Sequence, residues 1–473
     1  MKKRLNKKEH IHFIGIGGVG MSAIALILNS KGYSISGSDR LEKSQFKNLK
    51  DTQIKFFANQ KAENIKSVCK ESDQSPLIVI SSAIPSSNPE LIEAKNLNLE
   101  ILHRSELLAM LIQEQPGIAI AGSHGKTSTS TILTTLLALA GKDPTAIIGG
   151  NVPYFNSNAH FGSGKFLVAE ADESDGSLIK FKPAISLITN LELDHTDYYK
   201  NLDELMETMK IFERNSKIII GNYDCKNIRE NIKASYWFST KTKKNIDLSA
   251  IPVKVTENYT RAKIYMKEKA LGTIDIPLPG IHNLSNTIAA ILCCIVTGIT
   301  FDELKSIISQ ISLPGRRFEF RGIWKGRDII DDYAHHPSEV LATIKLGRLI
   351  VDSAKNNINK SAKRLVVVFE PHRYTRLNQF LKEFAINLGK ADCIFIAPIY
   401  SAGEKNTTNI NEKDIEKHIK NYYPDKLVWS AKNMEELICL INQNTIDNDL
   451  IIAMGAGYIN KLWEELHRQI ISI

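Results

Sequence analysis

The chain has 473 residues, 43% of them hydrophobic and 24% charged, with a formal net charge of +8. That length suits about three domains with ample core. No apolar run approaches the ~18 residues that a membrane span needs, and no basic stripe interleaved with aromatics marks a nucleic-acid face, so neither partner is expected.

Six cysteines, at 69, 225, 293, 294, 393 and 439, form no Cys-x-x-Cys pair and no ligand spacing. This suits a reducing cytosol, and a cytoplasmic location is expected. The basic start, MKKRLNKK, and the apolar residues after it look superficially like a secretion signal. Glycines at 15, 17, 18 and 20 break the apolar part, and no small-residue cleavage site follows.

The first strand signal, HIHFIGI, runs into GIGGVG. Gly15, Gly17 and Gly20 fit G-x-G-x-x-G, with Gly18 inside the loop, and Met21 to Asn29 reads as a helix. The next strand, YSISGSD, ends at Asp39, about 20 residues on, where a ribose-binding acid falls in such units. A third strand, PLIVISSAI, ends in Ser81 and Ser82. The pattern predicts a Rossmann-like domain over residues 1–115 that holds a pyrophosphate-bearing nucleotide. It does not specify NAD, although an NAD-dependent oxidoreductase is the alternative from another class.

A second domain is expected over residues 116–312. Its opening, PGIAIAGSHGKTSTSTILTTLLALA, reads as a buried strand, a tight loop and a helix. Gly122, Ser123, His124, Gly125, Lys126, Thr127 and Ser128 then form a phosphate cradle. Glycines let backbone N–H groups approach phosphate, and the helix N-terminus adds positive potential. Lys126 is placed for the β- and γ-phosphates of ATP and Thr127 for Mg²⁺. Only Ser123 and His124 separate the two glycines, a shorter spacing than in the common G-x-x-x-x-G-K-[ST].

Further on, KFLVAEADESD puts Glu170, Asp172, Glu173 and Asp175 at a strand end, beside the phosphate loop, where carboxylates suit magnesium. AISLITNLELDHTD ends in Asn190, Glu192, Asp194, His195 and Asp197, a candidate second metal cluster. Residues 245–278 are rich in β-branched residues and are expected to form a hairpin insertion. GIHNLSNTIAAILCCIVTGI reads as a helix on which Asn283 and Asn286, three apart, share a face. They either read an adenine edge or cap the helix.

The third domain, residues 313–473, opens near LPGRRFE, with Arg316 and Arg317. The runs RDIIDDY, RLVVVFE, CIFIAPIY and LIIAMGAG alternate with helical stretches and predict a parallel sheet. They end in Asp332, Tyr333 and His335; in His372, Arg373 and Arg376; in Tyr400; and in Gly455 and Gly457. Ligands in open α/β sheets bind at such ends, and arginines there suit a carboxylate.

Together these motifs resemble the Mur ligase family. GIGGVGMS, GSHGKTS, EADESD, TNLELDH, GIHNLSN, PGRRFE, DDYAHHP and PHRYTR occur in the family's order across nearly the whole chain. The resemblance implies an α/β protein of three domains: Rossmann-like, then a P-loop ATP domain with a mainly parallel sheet, then Rossmann-like again. PHRYTR favours the branch that joins L-alanine to the carboxylate of UDP-N-acetylmuramate, using ATP and an acyl phosphate, over the branch that recycles murein tripeptide. The sequence does not fix alanine against glycine or serine, and it leaves the oligomeric state open.

Under that resemblance Gly15, Gly17, Gly18, Gly20, Asp39, Ser81 and Ser82 would hold the UDP-sugar. The loop from Gly122 to Ser128, with Asn283, Asn286 and Arg317, would hold ATP. Thr127 and Glu170 would hold one Mg²⁺ and His195 a second. Tyr333, His335, Arg373 and Arg376 would line the amino-acid site. Lys126, Glu170, His195 and His335 would carry the catalysis. Lys210 falls where some relatives carry a carbamylated lysine; its ordinary reading is a helix-surface lysine.

Overall fold

The computed structural model describes residues 5–41, 49–50, 52–196, 198–355 and 364–471. Asp197, read above as part of the second acidic cluster, lies outside them. Three sheets succeed one another along the chain. The first has five strands, in the spatial order Lys55–Ala58, Ser34–Asp39, His10–Ile14, Leu77–Ile80, Ile101–His103, all parallel. The strand Lys55–Ala58 carries no alternation and only partial burial at the sheet edge, so periodicity does not reveal it. The strand expected third from PLIVISSAI is therefore the fourth.

The central sheet has ten strands. Its middle, from Thr145–Val152 through Leu167–Glu170, Gly117–Ala121, Ile185–Ile188, Ile218–Asn222 and Tyr236–Ser239 to Leu248–Val255, is parallel throughout. The short strand Ser157–His160 lies antiparallel at one edge. The expected insertion over 245–278 is a meander of Leu248–Val255, Thr260–Met266 and Lys269–Ile276. It continues the main sheet, because Leu248 pairs with Phe238 and both side chains are core. The helices Lys126–Leu139 and Ile281–Val296 share a core that includes Ile132, Leu133, Leu136, Leu284 and Ile288. Cys293 and Cys294 are fully buried there.

The third sheet runs Glu319–Trp324, Arg327–Asp332, Leu450–Met454, Leu365–Phe369, Cys393–Ile396, Leu427–Ser430. Only the first of these strands is antiparallel to its neighbour. The near-continuous apolar runs of the inner strands fit a parallel sheet covered on both faces. Among the described residues no helix is long and apolar enough to cross a membrane.

The first two domains meet where the Asn158 side-chain amide donates to the Val19 carbonyl at 2.7 Å. Lys180 pairs with Glu106 at 3.1 Å nearby. The central strand Gly117–Ala121 is buried along its whole length and sets the position of the loop that follows. Ile120→Ala there removes a fully buried side chain. Chemical denaturation is expected to show a loss of about 2–5 kcal/mol.

Candidate active site

The strand Gly117–Ala121 delivers a loop that only glycine can make. Gly122 has φ +125° and Gly125 has φ +80°. A Cβ would lie 2.3 Å from Thr189 Oγ1 at the first and 2.6 Å from Asn286 Oδ1 at the second. The loop is pinned from the next strand end. The Asn190 carboxamide accepts from His124 N at 2.8 Å and donates to His124 O at 2.9 Å, while Thr189 Oγ1 donates to the same carbonyl.

Lys126 opens the helix and folds back over the loop. Its Nζ donates to Gly122 O at 2.7 Å and lies 3.0 Å from both oxygens of Glu173. Burial opposes its charge, but Glu173, Asp172 and Glu170 hold its pKa above the ordinary lysine value. Lys126 is therefore a fixed cation.

Beside it, Thr127 Oγ1 and Ser130 Oγ donate to the two oxygens of Glu170 at 3.1 and 3.0 Å. Gly149 N donates to the same carboxylate at 2.8 Å, and a Cβ on Gly149 would meet it at 2.7 Å. Asp172, Glu173 and His195 offer ligand atoms within 4.8 Å of one another. His195 has φ +52°, and its backbone N–H donates to Asp194 Oδ1 at 2.7 Å.

A cavity of about 210 Å³ adjoins the loop, lined by Gly125, Asn283 and Asn286 on one side and by Arg317, Phe318 and Asp332 on the other. Asn283 lines the cavity without capping the helix, whose N-cap is Gly280 with no side-chain cap. Its amide donates to Pro279 O at 2.8 Å, ahead of the helix, and it still faces the cavity. Between the cavity and the loop sits His124, with Glu339 at 3.3 Å from Nδ1 and Glu192 at 3.5 Å from Nε2. Burial works against its protonation, but the two carboxylates raise its pKa to about 10.

A second cleft, of about 300 Å³, brings Lys126, Thr127, Asp172 and His195 to face Tyr333, His335, His372, Arg373 and Arg376. His335 Nδ1 lies 2.9 Å from Tyr333 O. That contact selects the tautomer that leaves Nε2 as a proton acceptor. Burial lowers the His335 pKa despite Glu339 nearby, which favours the neutral ring.

Three sequence models of the Mur ligase family match in succession: "Mur ligase family, catalytic domain" over residues 10–116, "Mur ligase middle domain" over 120–294 and "Mur ligase, glutamate ligase domain" over 316–457. The chain belongs to the Mur ligase family. A curated relative from Prochlorococcus marinus (strain MIT 9313), named UDP-N-acetylmuramate–L-alanine ligase, is 51% identical over 98% of this chain and 95% of its own. One of the same name from Synechococcus sp. (strain CC9311) is 48% identical over 99% and 97%. Among solved structures, the UDP-N-acetylmuramate-alanine ligase of Thermotoga maritima has a TM-score of 0.79 at 24% identity, covering 98% of this chain and 99% of that one. A murein peptide ligase from Psychrobacter arcticus has a TM-score of 0.69 at 20% identity, covering 98% of both. These two carry the fold.

Two residues expected to bind ligands also have protein partners in this structure. Arg376 was expected to grip a carboxylate ligand, but its Nε and Nη2 both donate to Asp194 Oδ1, at 3.0 and 2.6 Å. Its Nη1 lies 2.9 Å from His372 Nδ1. Arg373, the N-cap of the helix Tyr374–Gln379, pairs with Glu404 at 3.3 Å and faces the cleft. Asp39 was expected at a ribose. Its Oδ2 accepts from Gly17 N at 2.9 Å and props the glycine loop.

The other N-terminal residues sit as follows. Gly15 takes φ +81° and donates to Ser38 O at 2.8 Å, and Gly18 caps the helix Val19–Ser30. A Cβ on Gly20 would meet Arg104 at 3.3 Å, and Arg104 reaches across to Asp172. Ser81 follows the strand Leu77–Ile80, and Ser82 Oγ lies 3.1 Å from His103 Nε2. Lys210 pairs with Glu207 three residues away and does not line the cleft, as for a helix-surface lysine.

Sequence reasoning missed Glu339. It lies in the first turn of the helix Pro337–Lys355, accepts from His335 N and His336 N, and lines both cavities. The signal was present, since proline at the first helical position with glutamate two residues on is an N-terminal capping pattern.

His124 gives the site a pH signature. Its folded pKa, about 10, stands above the unfolded 6.5. Its stabilising contribution is thus fully present below 6.5 and lost as pH rises through about 10. Melting temperatures of wild type and His124→Gln, compared from pH 6 to 10.5, are expected to differ most at the acid end and to converge at the alkaline end.

Proposed function

We propose that this chain joins L-alanine to the lactyl carboxylate of UDP-N-acetylmuramate, with ATP converted to ADP and phosphate, as a step of peptidoglycan synthesis. The observation that carries the reading is the cleft in which the Gly122–Thr127 loop faces His335 and Arg373. It supports a reaction between a phosphate-activated group and an amine. The curated relatives at 48–51% identity support the particular substrates. A cytoplasmic location belongs to the proposal, because ATP and nucleotide sugars occur together there. The oxidoreductase alternative does not survive the family assignment.

A carboxylate is a poor electrophile. One of its oxygens attacks the γ-phosphorus, the bond to the β-phosphate oxygen breaks, and ADP leaves an acyl phosphate. Lys126, held cationic, offsets the charge that builds on the transferring oxygens. The neutral alanine amine then attacks the acyl carbon, His335 Nε2 takes a proton from it, and the tetrahedral intermediate expels phosphate. In this reading Arg373 receives the alanine carboxylate, and residues 1–115 hold the UDP-sugar. Asn283 and Asn286 face the adenine across the cavity they share with Arg317. Closure of residues 313–473 over the central part, 116–312, keeps water from the acyl phosphate.

The residues fit magnesium. Thr127 and Glu170 present hard oxygen donors side by side. His195 with Asp172 and Glu173 offers a second, mixed set. Divalent ions held there would neutralise phosphate charge.

Two measurements test the reading. ADP release is expected with UDP-N-acetylmuramate and L-alanine, and to fall by on the order of 10³-fold in Lys126→Ala. Release at the wild-type rate by a folded Lys126→Ala protein refutes the role given to the loop. In steady-state kinetics, Arg373→Ala is expected to raise the KM for alanine about tenfold or more. The KM values for ATP and the UDP-sugar are expected to stay near wild type.

A further inference from the structure

One carboxylate oxygen joins the two halves of the cleft. Asp194 Oδ1 accepts from the backbone N–H of His195 at 2.7 Å. The same oxygen accepts from Arg376 Nε at 3.0 Å and Nη2 at 2.6 Å. Asp194 belongs to the central domain, Arg376 to the C-terminal domain, and both are about 4% exposed. An ion pair so far removed from water stands only when both members are present, since either alone would be a buried unpaired charge. The third guanidinium nitrogen holds His372, whose ring lies 5.5 Å from that of His335 and 5.4 Å from that of Tyr400.

The chain from Asp194 through Arg376 to His372 therefore ends in the aromatic wall of the amino-acid side. The chain from Asp194 through the His195 backbone ends beside Asp172 and Glu173. When the domains part, Arg376 loses the partner that fixes its plane, and His372 loses its own.

We infer that Asp194 is a positioning residue that makes the amino-acid side of the cleft dependent on domain docking. Through Arg376 and His372 it shapes the place where the amine is delivered only while the C-terminal domain is seated on the central one. This rests on the ligase reading above and adds to it a physical reason why the amine site and the closed state arise together.

The first half-reaction, acyl phosphate formation, needs Lys126 and the Glu170 side of the cleft. The second needs in addition the wall that His372, Arg373 and Arg376 form on the seated C-terminal domain. Loss of the Asp194–Arg376 pair is expected to weaken the second more than the first. An acyl phosphate that waits for an amine reacts with water instead, returning the carboxylate and releasing phosphate.

The test uses the full-length protein with UDP-N-acetylmuramate, MgATP and L-alanine. In Asp194→Asn the KM for alanine is expected to rise about tenfold or more, and ADP released per alanine-containing product is expected to exceed one. Asp194→Glu, which keeps the charge, is expected to recover part of both. In a cycle with Arg376→Gln, the double variant is expected to be no worse than the worse single variant, because the two side chains act as a unit.

An unchanged alanine KM and a ratio of one in Asp194→Asn overturn the inference. So does a defect confined to the magnesium requirement, which would make Asp194 only a support for His195. If Asp194→Asn does not fold, Arg376→Gln carries the same two readouts, and wild-type values there are equally fatal. Failure of wild type to release ADP with these substrates is a different result, and it sinks the ligase reading itself.

Discussion

The buried pairing of Lys126 with Glu173 is the constraint around which the rest of the site is arranged. A lysine enclosed by a glycine loop would lose its proton or leave the protein interior if nothing answered its charge. Glu173 answers it, and Lys126 also donates a hydrogen bond to the carbonyl of Gly122, so cation and loop hold one another. Tyr199 fixes the backbone of Glu173 by donating to its carbonyl at 2.8 Å. The loop's shape is thus fixed by contacts within the protein. A preorganised electrostatic site of this kind needs little rearrangement when charge moves.

The same logic extends outward. His124 stands between carboxylates from two domains, Glu192 and Glu339, and Arg376 stands against Asp194. The His124–Glu339 and Arg376–Asp194 pairs cross the boundary between the central and third sheets. Surface ion pairs contribute little to stability. The two pairs that cross the boundary are largely shielded from water, so their main effect is on geometry, fixing how one domain sits on another. The boundary between the first two domains combines a shared apolar core with polar contacts such as the Asn158 amide on the Val19 carbonyl and the Lys180–Glu106 pair.

Much of this was legible in the sequence because it is local. A glycine loop between an apolar strand and a helix declares itself within a dozen residues, and so do acids at the end of an apolar strand. Four of the six strands of the third sheet announced themselves as apolar runs such as RLVVVFE. What stayed hidden was either short or distant. Lys55–Ala58 and Ser157–His160 have four residues each and lie at sheet edges. Glu319–Trp324 exposes Phe320 and Ile323, so burial does not give it away. The engagement of Arg376 by Asp194 joins residues 182 apart in sequence. Spacing shows that two arginines share a face, but it does not show what already lies against one of them. Asp39 is the converse case. Its distance from the glycine loop fits a ribose contact, but the carboxylate also reaches back to the loop itself.

The cavity of about 210 Å³ has walls from both domains, with Asn283 and Asn286 on one side and Phe318, Asp332 and Thr343 on the other. A nucleotide in such a place is a cross-link as well as a reagent. Its affinity contains the free energy of bringing the walls together, and by thermodynamic reciprocity anything that favours their approach tightens nucleotide binding by the same factor. Spent nucleotide therefore leaves at the pace at which the walls separate.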